Sequence, residues 1–254
     1  MGRCYVVTGA SSGMGKAVAD LLEGRGGRVI RCDLNDGDVR ADLASPAARR
    51  AMIEEIGQLS GGVIDGLLLC AGIAAFVPAA VSINYFGMVE LLDGLRPLLK
   101  RSDAPRAAAI SSLGSTFETD EAIIAACLGH DEAAALAAAE ARAGDPVVYT
   151  STKRAVQLAC RHRAVQPEWA GAGILLNLVA PGIVDTPMMA ERLRNPQILA
   201  ALQATMPLAT GRYGTPEEIA ELLAFLVSPA NGLIVGQQLI ADCGSDAIRR
   251  PDHV

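Results

Sequence analysis

Apolar and polar positions along the chain fall into blocks of two kinds. Short apolar runs of strand length occupy residues 3–8, 28–33, 63–70, 106–110, 172–179 and 236–241, with a further short segment ending at Asp42 and Leu43. Between them apolar residues recur at helical spacing. Val18, Leu21 and Leu22 mark a helix over 16–25. Val89, Leu92, Leu95, Leu98 and Leu99 mark another over 84–101. Ser45 before Pro46 predicts an N-cap and a helix to about Leu59, stopped by Gly61-Gly62. Thr215-Pro216-Glu217-Glu218 is a second such start, for a helix to about Val227. Strands alternating with helices predict an α/β fold with a doubly wound parallel sheet. Such sheets bind ligands beyond the carboxyl ends of their strands. Gly9, Asp33, Gly72 and Ser112 all stand at such ends.

The first turn carries the strongest local chemistry. A strand ending at Thr8 runs into Gly9-Ala10-Ser11-Ser12-Gly13-Met14-Gly15 and then a helix. A helix N-terminus offers unpaired N–H groups and partial positive charge, which suits a pyrophosphate, and glycines let the backbone approach it. About 20 residues later comes Asp33, where a carboxylate can accept the ribose hydroxyls and repel a 2′-phosphate. No Arg or Lys stands at Ser11-Ser12 or directly after Asp33, so NAD is favoured over NADP. The adjoining Asn35-Asp36-Gly37 is turn chemistry, so Asp33 also reads as a turn cap.

A second candidate is Tyr149-Thr150-Ser151-Thr152-Lys153. In the first turns of a helix, Tyr149 and Lys153 share a face. A cation beside the phenol lowers its pKa and makes it a usable acid or base near neutrality. Alone, the pair is weak evidence.

Composition narrows the classes. The chain has 254 residues, is 51% hydrophobic and carries a formal charge of −6, enough for one large α/β domain. Its acidic balance and the lack of basic clusters argue against a nucleic-acid partner. Cys4, Cys32, Cys70, Cys127, Cys160 and Cys243 are scattered without C-x-x-C spacing, and His130, His162 and His253 are dispersed, so no metal site is expected. Reduced thiols in a cytoplasmic enzyme are the expected state. The first strand starts too near Met1 to leave room for a signal peptide. The apolar run 66–89 is interrupted by Gly72, Pro78 and Gly87, so it reads as strand, loop and helix start rather than a membrane span.

Taken together, Thr8 to Gly15, Cys70-Ala71-Gly72, Asn84, Ile110-Ser111-Ser112, Tyr149-x-x-x-Lys153 and Pro181-Gly182-Ile183-Val184-Asp185-Thr186 resemble, in type and order, the short-chain dehydrogenase/reductase family. The resemblance spans nearly the whole chain. It implies a single Rossmann-type domain and hydride transfer between a nicotinamide and a carbonyl or alcohol carbon. It implies that Ser112 orients the substrate oxygen, that Tyr149 exchanges its proton, and that Lys153 lowers the Tyr149 pKa and binds the nicotinamide ribose. Asn84 would hold a helix kink and a water of the proton relay. The cofactor residues it implies are Gly9, Ser11, Ser12, Gly13, Met14 and Gly15, then Asp33, Asp42, Leu43, Cys70, Ala71 and Gly72, and finally Pro181, Gly182, Val184 and Thr186. Asp42 and Leu43 would meet the adenine, and Val184 and Thr186 the carboxamide.

Two spacings depart from the family. The link from Gly72 to Asn84 is short, and residues 113–148 intervene between Ser112 and Tyr149. Residues 121–142 are Ala-rich and predict one helix, capped by Thr119 or Asp120 and ended by Gly144-Asp145-Pro146. This insertion is expected to wall the substrate cleft and to alter subunit packing. With residues 82–87 and the tail 242–251, it resembles the family's bacterial 3α-hydroxysteroid dehydrogenase/carbonyl reductases. That likeness implies a homodimer through 216–226 and 237–241, against the homotetramer common elsewhere. Residues 187–213 would be the substrate lid, with Met188, Met189, Leu193, Ile198, Leu199, Leu202 and Met206 suiting a bulky apolar alcohol or ketone. A 3α-hydroxysteroid is the leading substrate, and a cyclic terpenoid alcohol or arene dihydrodiol the alternative. A non-catalytic dinucleotide-binding regulator would have lost Ser112, Tyr149 or Lys153, and none is lost.

Overall fold

A computed structural model describes residues 2–253. Its centre is a seven-stranded, wholly parallel sheet in the order β3-β2-β1-β4-β5-β6-β7. The strands are β1 (Cys4–Thr8), β2 (Arg28–Asp33), β3 (Val39–Arg40), β4 (Gly66–Leu69), β5 (Arg106–Ile110), β6 (Leu175–Pro181) and β7 (Gln238–Ala241). The order doubles back at β1, which lies between β2 and β4, and this opens a crevice at the strands' carboxyl ends. The continuous apolar runs of β4 and β5, buried at every position, follow from burial on both sheet faces.

One face is covered by α1 (Gly13–Gly24) and, late in the chain, α10 (Pro216–Leu226). The other carries α2 (Pro46–Leu59), the long helix built from α3 (Ala79–Val81), a π turn (Ser82–Phe86) and α4 (Gly87–Leu99), and α7 (Val147–Ala164). Local signals set several of these starts. Ser45 accepts from Ala48 N–H, and Thr215 and Glu218 form a capping box. The helix around Asn84 begins earlier than its periodicity predicts, at Ala79. It is also interrupted where Gly87 N–H bonds Ser82 O, five residues back. A single-turn π bulge of this kind is frequent at functional sites.

The Ala-rich insertion is two helices, not one: α5 (Glu121–Leu128) and α6 (Glu132–Glu140). The break falls at Gly129-His130-Asp131. His130 takes a left-handed φ of 57°, and Asp131 caps α6 by accepting from Ala134 N–H. These stop and start signals override the helical propensity of the flanking alanines. The break lets α5 lie on α7 while α6 turns towards α3 and the π turn. Ile123, Cys127, Ala135 and Ala139 are fully buried within the core cluster. Arg49, also fully buried, reaches from α2 to Glu132 (2.6 Å) and Glu90 (3.3 Å), clamping α6 and α4 together. The insertion is therefore a core element on the outer side of the α4–α7 pair. None of its residues lines the pocket around Tyr149.

After β6 come α8 (Pro187–Arg194) and α9 (Pro196–Thr205), and after β7 the short α11 (Ser245–Arg249). Cys243 sits at φ 59°, a left-handed position that favours glycine. Trp169, 2% exposed, closes the region after α7.

Candidate active site

Two adjoining cavities lie at the carboxyl ends of the strands. The larger, about 290 Å³, runs along Gly9, Ser11 to Gly15, Asp33, Asp42, Leu43 and Cys70 to Ile73, and reaches Thr186. The smaller, about 100 Å³, is lined by Ser112, Tyr149, Lys153, Pro181, Gly182, Val184, Met188 and Met189, and shares Met14, Cys70, Gly72, Ile73 and Thr186 with the first. Every cofactor residue expected from the sequence borders one cavity or the other. Asn84 borders neither and stands directly behind Gly72.

The fit of a dinucleotide to the larger cavity rests on backbone geometry. A Cβ on Gly9 (φ 68°) would meet Ala71 N at 2.9 Å, and one on Gly15 would meet Gly9 O at 2.2 Å. These contacts hold the turn close against β4 and against its own helix. Ser12 stands at the N-cap of α1 without a side-chain cap, and the first turn has no acidic residue. The leading N–H groups are thus left for an external anion. Asp33 Oδ2 accepts from Ser11 N–H and Oδ1 from Asn35 N–H, both at 3.2 Å. It caps the turn, as its neighbours suggest, and its carboxylate also faces the cavity. Asp42 caps its own turn by accepting from Ala44 N–H at 2.8 Å, with Leu43 beside it.

Thr8, which opens the glycine motif but has no role assigned from the sequence, ties this region together. Its Oγ1 accepts from both Cys70 N–H and Ala71 N–H at 3.1 Å, joining the end of β1 to the turn after β4. Its only sequence signal is a hydroxyl at the last position of an apolar strand.

In the smaller cavity Tyr149 and Lys153 lie one turn apart on α7, as the spacing predicts. The Lys153 ammonium is 5.9 Å from the phenol ring centroid and donates to Ile110 O at 3.2 Å. Ser111 Oγ donates to Lys153 O at 3.2 Å, fastening α7 to the end of β5. Ser112 accepts from Gly114 N–H at 3.0 Å and lies against the phenol. Burial pushes the Tyr149 phenol up, with the Ser112 hydroxyl and the charge of Arg192 pulling it back. Burial pushes the Lys153 ammonium itself down to about 8, and its head is turned to a strand carbonyl. The reason is general: a pocket dry enough to sharpen an ion pair first penalises both charged forms.

Asn84 is fully buried with its side chain fully engaged. Oδ1 accepts from Ile73 N–H (2.8 Å), and Nδ2 donates to Ile73 O (3.0 Å) and Thr152 Oγ1 (3.2 Å). The π turn aims this amide at the loop after Gly72, where a Cβ would come within 2.9 Å of Asn84 Oδ1. Asn84 therefore fixes the cavity wall and braces α7, a role that only the fold reveals.

Chemically, the arrangement offers a phenol that can give or take a proton, a hydroxyl to fix the reacting oxygen, and an ammonium that holds positive charge nearby. A nicotinamide in the adjoining cavity would supply or accept the hydride. Among the described residues no cluster of three His, Cys, Asp or Glu could hold a metal, and all six cysteines are free. No described helix is long and apolar enough to cross a membrane.

Comparison with known proteins agrees with this geometry. A family profile described as enoyl-(acyl carrier protein) reductase matches residues 9–246. A 3-alpha-hydroxysteroid dehydrogenase/carbonyl reductase of Comamonas testosteroni is 34% identical over 253 residues, covering 97% of each chain. A tropinone reductase homolog of Arabidopsis thaliana is 27% identical over 96% of this chain and 79% of its own. The crystal structure of the 3-alpha-hydroxysteroid dehydrogenase of Pseudomonas sp. B-0831 complexed with NADH is 35% identical. It superposes with a TM-score of 0.93 over 99% of this chain and 100% of that one.

Proposed function

The chain belongs to the short-chain dehydrogenase/reductase family and is an oxidoreductase of the alcohol dehydrogenase/carbonyl reductase kind; from that premise we propose that it uses NAD to interconvert a bulky apolar secondary alcohol and its ketone, with a 3α-hydroxysteroid as the favoured substrate. The observation that carries the reading is the convergence of Ser112, Tyr149 and Lys153 on one pocket that opens into the dinucleotide-shaped cavity. In the oxidation direction Tyr149 takes the hydroxyl proton, Ser112 holds the oxygen, and Lys153 positions the ribose and favours the phenolate. Such acid–base assistance is worth roughly 10²–10⁴-fold.

Asp33 supports NAD over NADP, because a 2′-phosphate there would face a carboxylate. Arg31, two residues upstream, is already held by Asp20 and Glu23. Met188 and Met189 at the pocket, with Ile73, Ala74 and Val184, support an apolar substrate. The steroid preference rests on the relatives' printed activities. A homodimer is supported by large apolar side chains left exposed on the expected face, Phe225 on α10 and Ile240 on the edge strand β7. The insertion meanwhile covers the outer side of α7. A cytoplasmic setting would keep the six thiols reduced.

The test is a panel of steroid, terpene and dihydrodiol alcohols with NAD or NADP, read as reduced cofactor, with Tyr149→Phe beside the wild type. The variant should lose turnover and keep its affinity for NAD. Full activity in Tyr149→Phe would refute the chemistry, and a wild-type preference for small primary alcohols would refute the substrate class.

A further inference from the structure

One charged side chain from the lid acts on the catalytic phenol, and the proposed alcohol chemistry does not use it. Arg192 lies on α8, half-buried, and crosses the cleft to the loop that follows Gly72. Its Nη2 donates to Ala74 O, and its guanidinium stacks on the Phe76 ring, 5.5 Å from the centroid. Ala74 lines the catalytic pocket. Gly144 N–H in turn donates to Phe76 O at 2.8 Å, so the ring is held by the insertion behind it.

Arg192 is held by a backbone carbonyl, as Arg28, Arg96 and Arg101 are, but its carbonyl belongs to a residue of the pocket lining. Arg163, Arg212 and Arg250 each grip a carboxylate. Arg192 meets no described carboxylate, and Nη2 is the one donor with a described protein acceptor, from a fork that carries five N–H groups. A planar fork with spare donors, held at the pocket rim by Ala74, can recognise a carboxylate bidentately. The walls beneath it, Ile73, Val184, Met188 and Met189, are apolar. The matching molecule is amphipathic: an alicyclic body against the methionines and an acid at the rim beside Ala74.

We propose that Arg192 is a specificity-determining residue that binds a carboxylate on the substrate, so that the enzyme takes alicyclic hydroxy acids and keto acids in preference to their neutral counterparts. The assignment rests on the reading of the site as an alcohol/ketone oxidoreductase for its chemistry, but not for the binding of the acid.

The experiment compares 3-oxocyclohexanecarboxylate with its methyl ester, which differs chiefly in charge. Reduction is followed as loss of NADH, and binding of cyclohexanecarboxylate and its methyl ester to the enzyme–NADH complex is followed by NADH fluorescence. The wild type should favour the acid in both assays. Arg192→Gln should lower kcat/KM for the acid by about 10- to 100-fold and for the ester by less than about threefold. Arg192→Lys should recover part of the loss, as a point charge without the fork. Equal losses for acid and ester would make Arg192 a lid latch only and overturn the proposal. So would a fall in NADH affinity, which would make it a cofactor contact, or equal binding of acid and ester by the wild type. The binding arm needs no turnover. Preferential binding of the acid with no reduction of any ketone would therefore uphold the subsite and overturn the dehydrogenase reading instead.

Discussion

Replacing Lys153 by methionine should stabilise the cofactor-free protein while removing its activity. The lysine is 4% exposed, and burial lowers its ammonium from 10.5 to about 8. At 1.36 kcal/mol per pH unit, protonated Lys153 at pH 7 costs the folded chain about 3 kcal/mol relative to the unfolded one. Methionine has a similar length and no charge. Its gain is reduced by roughly 1 kcal/mol for the lost bond to Ile110 O, leaving about 2 kcal/mol. For a chain of this size that is a rise in Tm of about 4–8 °C. The pH dependence carries the sign. Between about 8 and 10.5 the unfolded chain binds the Lys153 proton and the folded chain does not, so the Lys153 contribution to stability rises with pH in that window, while the raised buried thiols act in the opposite sense in both proteins alike. The advantage of Lys153→Met should be full below pH 8 and shrink steadily above it. Thermal unfolding of both proteins from pH 7 to 9.5, each without cofactor, measures this. The difference between the two proteins isolates Lys153, because the raised thiols and the raised phenol of Tyr149 are common to both. A variant that melts at or below the wild type at pH 7, or a difference that does not change with pH, would refute the burial argument.

Asn84→Ala should strand the Ile73 amide and carbonyl and the Thr152 hydroxyl in a buried site. The expected loss is about 2–5 kcal/mol of stability together with weaker NADH binding, read by thermal shift and NADH fluorescence; an unchanged Tm would show that the π turn stands without it. Asp33→Ala should narrow the preference for NAD over NADP, measured as the ratio of kcat/KM values, and an unaltered ratio would remove Asp33 from cofactor selection. Glu132→Ala should lower Tm by about 3–10 °C without changing substrate preference, because it frees the buried Arg49 rather than touching the pocket; a shift in substrate scope at unchanged Tm would return the insertion to the cleft.

Residues 3–24 and 149–153 were legible because their information is local. A glycine turn between strand and helix states its own conformation, and Tyr149 and Lys153 share a helix face whatever surrounds them. The sheet followed from alternation, and the strand ends named Gly9, Asp33, Gly72 and Ser112 as neighbours in space. Other features depend on contacts between distant segments. The insertion reads as one Ala-rich helix, yet Gly129 to Asp131 breaks it and Arg49, some 80 residues upstream, pulls it into the core. Asn84 was legible as a position but not as a brace for Ile73, because a π turn forms where packing demands it rather than where a pattern announces it. Arg192 carried no motif, and only the fold of the lid across Ala74 and Phe76 sets it above the pocket. By itself, then, the sequence determined most of the elements, their order and the candidates for the reacting groups, since these are set by neighbours within a few residues. Tertiary structure alone decided the balance of charge among those groups. Burial is a property of everything packed around a side chain, and it raises the phenol of Tyr149 and lowers the ammonium of Lys153.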